Sequence, residues 1–400
     1  MISEKMMQLG KKSSVIREIF EYSKKRKAEI GEDKVFDFSI GNPNVPTPDE
    51  VADIIIDLVK NTDPVALHGY TSAPGDLGVR KAIADDINAE HGTNIDPALI
   101  YMTCGAAASL TISLTALLNE GDEVIIIAPF FPEYRVFIEK AGGKAVVVKS
   151  DESSFQLDFT ALKDAITKKT KAIIINSPNN PSGAVLKEDS LKKLGSLLEE
   201  KQREFNSDIY LISDEPYRKL VYGNATVPYV TKFYNNTLVC YSYSKALSLP
   251  GERIGYIAVS PLCKDAADVF AAVCGAGRAL GFVCAPSLWQ FVVKRALKLT
   301  ADTEVYKRNR AALYEGLNEI GYESVVPDGA FYLFTKALEP DANAFCERAK
   351  KYELLLVPSD DFGIEGYVRI AYCVTEQQIK NSLPSFKKLY EEYEKEKKNG

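Results

Sequence analysis

Histidine is almost missing from this chain: His68 and His91 are the only two in 400 residues. Because histidine is the commonest general acid and base near neutral pH, a protein this poor in it must assign proton transfer to another side chain. Cysteine occurs seven times, at positions 104, 240, 263, 274, 284, 346 and 373, but the number is odd, the positions are scattered and no C-x-x-C pair is formed. With so few histidines as co-ligands, the pattern argues against a metal site and for reduced, mostly buried thiols. Long apolar runs are missing too. No stretch approaches the roughly 20 residues needed to span a bilayer, and the opening M-I-S-E-K-M-M-Q-L-G-K-K lacks the apolar core of a signal peptide. No membrane partner is therefore expected, and a cytoplasmic location follows. Nor is there an excess of positive charge: the formal net charge is −6, and the lysine-rich stretches at 24–27 and 392–398 are interleaved with or flanked by acids. That is the pattern of solvated helix faces, and no nucleic-acid partner is expected.

What is present is ample material for a core, since 46% of the residues are hydrophobic and 26% charged, a balance typical of globular chains. Between about residues 100 and 260, short β-branched runs alternate with amphipathic stretches. The runs are E-V-I-I-I-A (123–128), A-V-V-V (145–148), A-I-I-I-N (172–176), I-Y-L-I-S (209–213), T-L-V-C-Y (237–241) and I-G-Y-I-A-V (254–259). Runs of this kind suit strands buried on both faces of a mostly parallel sheet. The segment 187–201 places Leu191, Leu194, Leu197 and Leu198 on one helical face, and helices like it would cover such a sheet. The expected fold class is α/β, a three-layer α/β/α arrangement. Both chain ends, with the short apolar runs at 330–334 and 367–372, fit a small α+β domain. The expected division is a large domain over 46–295 and a small one from 1–45 together with 296–400.

In open parallel sheets, ligands bind beyond the carboxyl ends of the strands. The residues that follow the apolar runs are P-F-F-P-E-Y (129–134), S-P-N-N-P-S-G (177–183), D-E-P-Y (214–217) and S-Y-S-K (242–245). They bring aromatics, an amide, a carboxylate, a phenol and a lysine toward one edge. In S-Y-S-K-A-L-S-L-P-G-E-R (242–253), Lys245 is a candidate nucleophile whose pKa a site at a sheet edge can lower, and Ser242, Ser244 and Arg253 around it are able to bind a phosphate. The run G-A-A-A (105–108) opens a helical pattern whose first N–H groups would be free for an anion.

The segment around Lys245 resembles the cofactor-lysine signature of the class I and II aminotransferases, the aspartate aminotransferase family of fold type I. Seven further elements stand in family order: S-I-G-N-P (39–43), Y-T-S-A-P-G (70–75), T-C-G-A-A-A (103–108), P-F-F-P-E-Y, N-S-P-N-N-P-S-G-A, D-E-P-Y and Y-V-R-I-A (367–371). The resemblance implies pyridoxal 5′-phosphate as cofactor and an amino group moved from an L-amino acid to a 2-oxo acid by a ping-pong route. It implies that Lys245 forms the Schiff base with the cofactor and then shuttles the proton, which would answer the shortage of histidine. Asp214 would pair with the pyridine nitrogen, although an aspartate after a strand is also a common helix N-cap. Asn180 and Tyr217 would hydrogen-bond the ring 3′-oxygen. Ala106, Ala107, Ser242, Ser244 and Arg253 would cradle the phosphate, joined by Tyr70 of a neighbouring subunit, which implies a homodimer. Phe131 would stack on the ring, where aspartate-specific members often carry tryptophan. Arg369 would grip the substrate α-carboxylate, with Gly41 beside it.

The donor stays open between aspartate and an aromatic or neutral amino acid. Arg278, alone in C-G-A-G-R-A-L-G-F (274–282), is a candidate reader of a distal carboxylate, or else an interface arginine. Two alternatives remain: a carbon–sulfur β-lyase of the same family, and a regulatory protein without turnover.

Overall fold

The computed structural model describes residues 2–11 and 15–399. Its centre is a seven-stranded sheet in the order Ile100–Thr103, Gly255–Val259, Thr237–Ser242, Tyr210–Asp214, Thr170–Asn176, Glu123–Ala128, Lys144–Lys149. All neighbours are parallel except those of Gly255–Val259, which runs against both strands beside it. The six apolar runs are all strands of this sheet, to within a residue or two. The seventh, Ile100–Thr103, is an edge strand only four residues long and gives little periodic signal.

Alternation along the strands explains the layers. Ala172 and Ile174 join Val124, Ile126 and Ile212 in a core under the helices Ala106–Leu117 and Ala266–Leu280. Ile173, Ile175, Ile125 and Leu211 face the other way, onto Leu194 and Leu198 of the helix Glu188–Phe205. The central strands are thus covered on both faces, which is why their runs are continuously apolar, while the edge strand Lys144–Lys149 leaves Val147 exposed.

The chain ends form a second group of elements. Phe36–Asp37 pairs in parallel with Leu354–Leu355, and Tyr332–Lys336 pairs with Tyr367–Ala371, which in turn pairs with Val357–Pro358. Phe38, Phe331, Phe345, Ile379, Phe386 and Leu389 share one apolar core, to which the last helix, Glu376–Asn399, contributes its inner face.

The sheet register brings the chemistry together. Asn176 lies opposite Asp214, Asp214 opposite Cys240, and Ser242 opposite Gly255, so the polar residues that end successive strands stand side by side at one edge.

Candidate active site

At that edge a cleft of about 350 Å³ opens between the sheet and the second group of elements. Its lining includes Gly41, Ala106, Ala107, Phe131, Asn180, Asp214, Tyr217, Ser242, Ser244, Lys245, Arg253 and Arg369, twelve of the fourteen residues singled out above. The other two lie elsewhere. Tyr70 is 99% exposed, and Arg278 is exposed near the end of the helix Ala266–Leu280; neither lines the cleft of its own chain.

Lys245 sits in a one-turn helix, Tyr243–Ala246, capped by the Ser242 side chain, which accepts from the Ser244 N–H. The turn lifts the lysine off the strand end into the cleft, where its Nζ donates to the Gly41 carbonyl at 2.7 Å. Burial pulls its pKa down to about 8; Arg369 and Arg253 add to this and Cys373 opposes it. A lysine so poised is neutral often enough near physiological pH to act as a nucleophile or base.

Asp214 ends its strand deep in the cleft, 5% exposed. It does not cap a helix. One carboxyl oxygen, Oδ2, accepts from the Tyr134 hydroxyl at 2.5 Å, while Oδ1 is buried with no partner. Burial pushes its pKa up to about 7, with the Tyr134 bond pulling back and Glu215 adding to the rise. An orphaned buried carboxylate oxygen is costly, and a ring N–H⁺ is the kind of donor that would satisfy it. The backbone behind it is held by a side-chain amide: Asn176 Nδ2 donates to the Asp214 carbonyl at 2.8 Å, and Asn176 Oδ1 accepts from the Asn180 N–H at 2.7 Å.

The anion cradle is equally specific. Gly105, with φ 88°, precedes the helix Ala106–Leu117 without any side-chain cap, so its first N–H groups point into the cleft. A Cβ at Gly105 would come within 2.7 Å of the Arg253 guanidinium; the glycine lets that cation close over the helix end. Ser242 and Ser244 complete the cradle, their hydroxyls 2.6 Å apart. Two hydroxyls, a guanidinium and open helix N–H groups suit a phosphate, so the residues present fit pyridoxal phosphate at both its ring and its phosphate.

Arg369 lies opposite, only 3% exposed on the strand Tyr367–Ala371. Its Nη1 donates to Asn180 Oδ1 at 3.2 Å and its Nη2 to the Ser39 carbonyl at 2.5 Å, while Nε is buried without a partner. Among the described residues no acid pairs with it. Two tyrosines that sequence reasoning passed over also belong here. Tyr134 holds Asp214, and Tyr332 lines the cleft with its hydroxyl 2.8 Å from that of Tyr217. Tyr134 ends the P-F-F-P-E-Y motif, which was a usable signal; Tyr332 sits inside the apolar run 330–334 and reads as core.

The profile of the family "Aminotransferase class I and II" matches residues 33–386. A probable aspartate/prephenate aminotransferase of Aquifex aeolicus is 31% identical over 90% of this chain and 91% of its own length. Aromatic-amino-acid aminotransferase 2 of Thermococcus litoralis is 28% identical over 95% and 96%. The crystal structure of an amino transferase from Eubacterium rectale superposes with a TM-score of 0.97 at 55% identity, covering 98% of this chain and 99% of that one. With its fold type I sheet and its cofactor-shaped cleft, the chain is a pyridoxal-phosphate-dependent aminotransferase and belongs to the class I and II aminotransferase family.

Proposed function

We propose that the twelve cleft residues carry amino transfer in the roles their family likeness implies, and that the donor is a neutral or aromatic amino acid. The observation that carries this is the buried Arg369, which has no acid partner among the described residues and shares a cleft with Lys245. Pyridoxal phosphate supplies the carbonyl that takes up the amino group and a ring that draws electrons from the substrate α-carbon. Arg369 and the Gly41 backbone hold the α-carboxylate, orienting the α-carbon toward Lys245. Lys245 would hold the cofactor at its carbonyl carbon and, as a neutral amine, would move the proton at the substrate α-carbon. Asp214 would keep a proton on the ring nitrogen, Asn180 and Tyr217 would bond the 3′-oxygen, and Phe131 would cover the ring. Ala106, Ala107, Ser242, Ser244 and Arg253 hold the phosphate.

The donor assignment follows from charge. Among the described residues, Lys245, Arg253 and Arg369 are the cations that line the cleft, and each already has a role, while Ile16, Ile40 and Leu110 supply apolar wall. For a dicarboxylate donor, Arg278 of a second copy is the candidate reader of the distal carboxylate. The exposed Tyr70, with Val65 79% and Leu77 61% exposed near it in sequence, supports a homodimer in which Tyr70 reaches the partner's phosphate. We further propose the division into 46–295 and 1–45 with 296–400, supported by the separate core of the chain ends, and a cytoplasmic location, in keeping with the lack of any described helix long and apolar enough to cross a membrane.

The test is to add single amino acids to the purified holoenzyme and follow the visible band of the cofactor. Neutral or aromatic amino acids should bleach it, and 2-oxoglutarate should restore it. Faster bleaching by aspartate, abolished in Arg278→Ala with alanine turnover kept, would overturn the donor assignment in favour of the dicarboxylate reading. Release of pyruvate and ammonia with no acceptor present would reveal a β-lyase instead.

A further inference from the structure

Tyr332 has no part in the roles above, yet it touches three residues that do. It starts the strand Tyr332–Lys336 and is 2% exposed. Its hydroxyl is 2.8 Å from the Tyr217 hydroxyl, with the two rings edge-on at 5.7 Å. The Arg369 guanidinium carbon stands 4.7 Å over its ring. The hydroxyl also fills the space above Gly41, where a Cβ would come within 1.9 Å of it; this is the glycine whose carbonyl receives Lys245.

We propose that Tyr332 is a positioning residue for amino transfer: its hydroxyl directs and strengthens Tyr217 as a donor, and its ring seats Arg369 for the substrate carboxylate. The first half rests on the placement of Tyr217 at the cofactor 3′-oxygen. If Tyr217 points its O–H at that oxygen, its own lone pairs are left free to accept, and the Tyr332 hydroxyl, 2.8 Å away, is a donor in reach. Burial pushes the Tyr332 pKa up to about 12, so it keeps its proton to donate. A phenol that accepts a hydrogen bond becomes a better donor in turn. The ring acts differently: in a desolvated cleft a guanidinium over an aromatic face is held by the ring quadrupole, and Arg369 has no acid among the described residues to hold it instead.

The two halves separate in two variants. Tyr332→Phe removes the hydroxyl and keeps the ring; Tyr332→Leu removes both. The readout for the hydroxyl is the pH midpoint at which the holoenzyme's visible absorbance changes. Loss of the titrating proton leaves negative charge on the 3′-oxygen, which a strong Tyr217 donor stabilises, so a weaker donor raises the midpoint. Tyr332→Phe should raise it by about half a unit, the size of one modest hydrogen bond, and should lower kcat while leaving KM for the amino acid within about two-fold. Tyr332→Leu should raise KM about five-fold further. Tyr217→Phe, which removes the direct donor, should shift the midpoint in the same direction and by more. A Tyr332→Phe titration that superimposes on the wild type overturns the role of the hydroxyl. If Tyr217→Phe still shifts, only that role falls; if it does not, the placement of Tyr217 falls as well. Equal KM values in the Phe and Leu variants overturn the role of the ring.

Discussion

Asp214 shows what a single residue stores. Its Oδ1 is buried without a partner, and burial lifts its pKa from 3.8 to about 7. Without cofactor, the folded protein therefore keeps a proton on Asp214 over a range in which the unfolded chain has released it. Between pH 4 and pH 7 the folded state binds more protons, so stability falls as pH rises through that window and is level above it. The loss across the window is a few kcal/mol at most, since one pKa unit corresponds to about 1.4 kcal/mol. Asp214→Asn cannot titrate and escapes this loss. The melting temperature of the Asn apoprotein should thus gain on that of the wild-type apoprotein from pH 4.5 to 7.5, while the same variant should bind cofactor more weakly at every pH. Parallel melting curves across the range would mean that Asp214 is already ionised and partnered without cofactor. Lys245 titrates in a different window, from about 8 upward, and does not blur the comparison.

At the scale of elements, the join between Gly105 and the helix Ala106–Leu117 brings cradle and cation together. With φ 88° and ψ 174°, Gly105 occupies backbone space that is nearly closed to other residues. Gly105→Ala would carry that strain and also push the Arg253 guanidinium, which lies 2.7 Å from the new Cβ position. We expect cofactor affinity to fall about ten-fold or more, as for loss of a charge-assisted contact, measured by titrating apoprotein with pyridoxal phosphate. Addition of inorganic phosphate should protect the wild-type apoprotein against heat and fail to protect the variant. This cradle was legible in the sequence because its pieces are short contiguous motifs at the ends of apolar runs, where parallel-sheet topology collects them. The helix Glu188–Phe205 was legible for a similar reason: its leucines repeat at 3.6-residue spacing. Ile100–Thr103 was not, being four residues in length, and no local pattern reveals that Gly255–Val259 runs antiparallel. Tyr332 was hidden by its neighbours. Strand alternation assigns it an inward face, but only the pairing of Tyr332 with Ala371 and the meeting of the chain ends with the sheet place its hydroxyl on Tyr217.

For the whole molecule, the question is whether one chain holds a complete site. The cleft contains every predicted cofactor contact except Tyr70, whose side chain is 99% exposed, a poor arrangement for a tyrosine unless something covers it. If Tyr70 completes the site of a second copy, each site takes Lys245 from one chain and Tyr70 from the other. That geometry makes a prediction about mixtures of two crippled variants, Lys245→Ala and Tyr70→Ala. In a hybrid dimer, one site would carry both defects and the other neither, because the chain that keeps Lys245 would receive Tyr70 from its intact partner. Unfolding and refolding an equal mixture should therefore restore activity to about a quarter of the wild-type level, half the dimers being hybrids with one sound site each. If Tyr70 instead serves its own chain, both sites of every hybrid carry one defect and the mixture is no more active than the average of its components. The measurement needs only the two variants and a separation of dimers by charge or tag, so that activity can be assigned to the hybrid fraction. An active hybrid would also locate the surface around Tyr70 at a subunit contact, since Tyr70 cannot cross to the partner unless that surface is buried there.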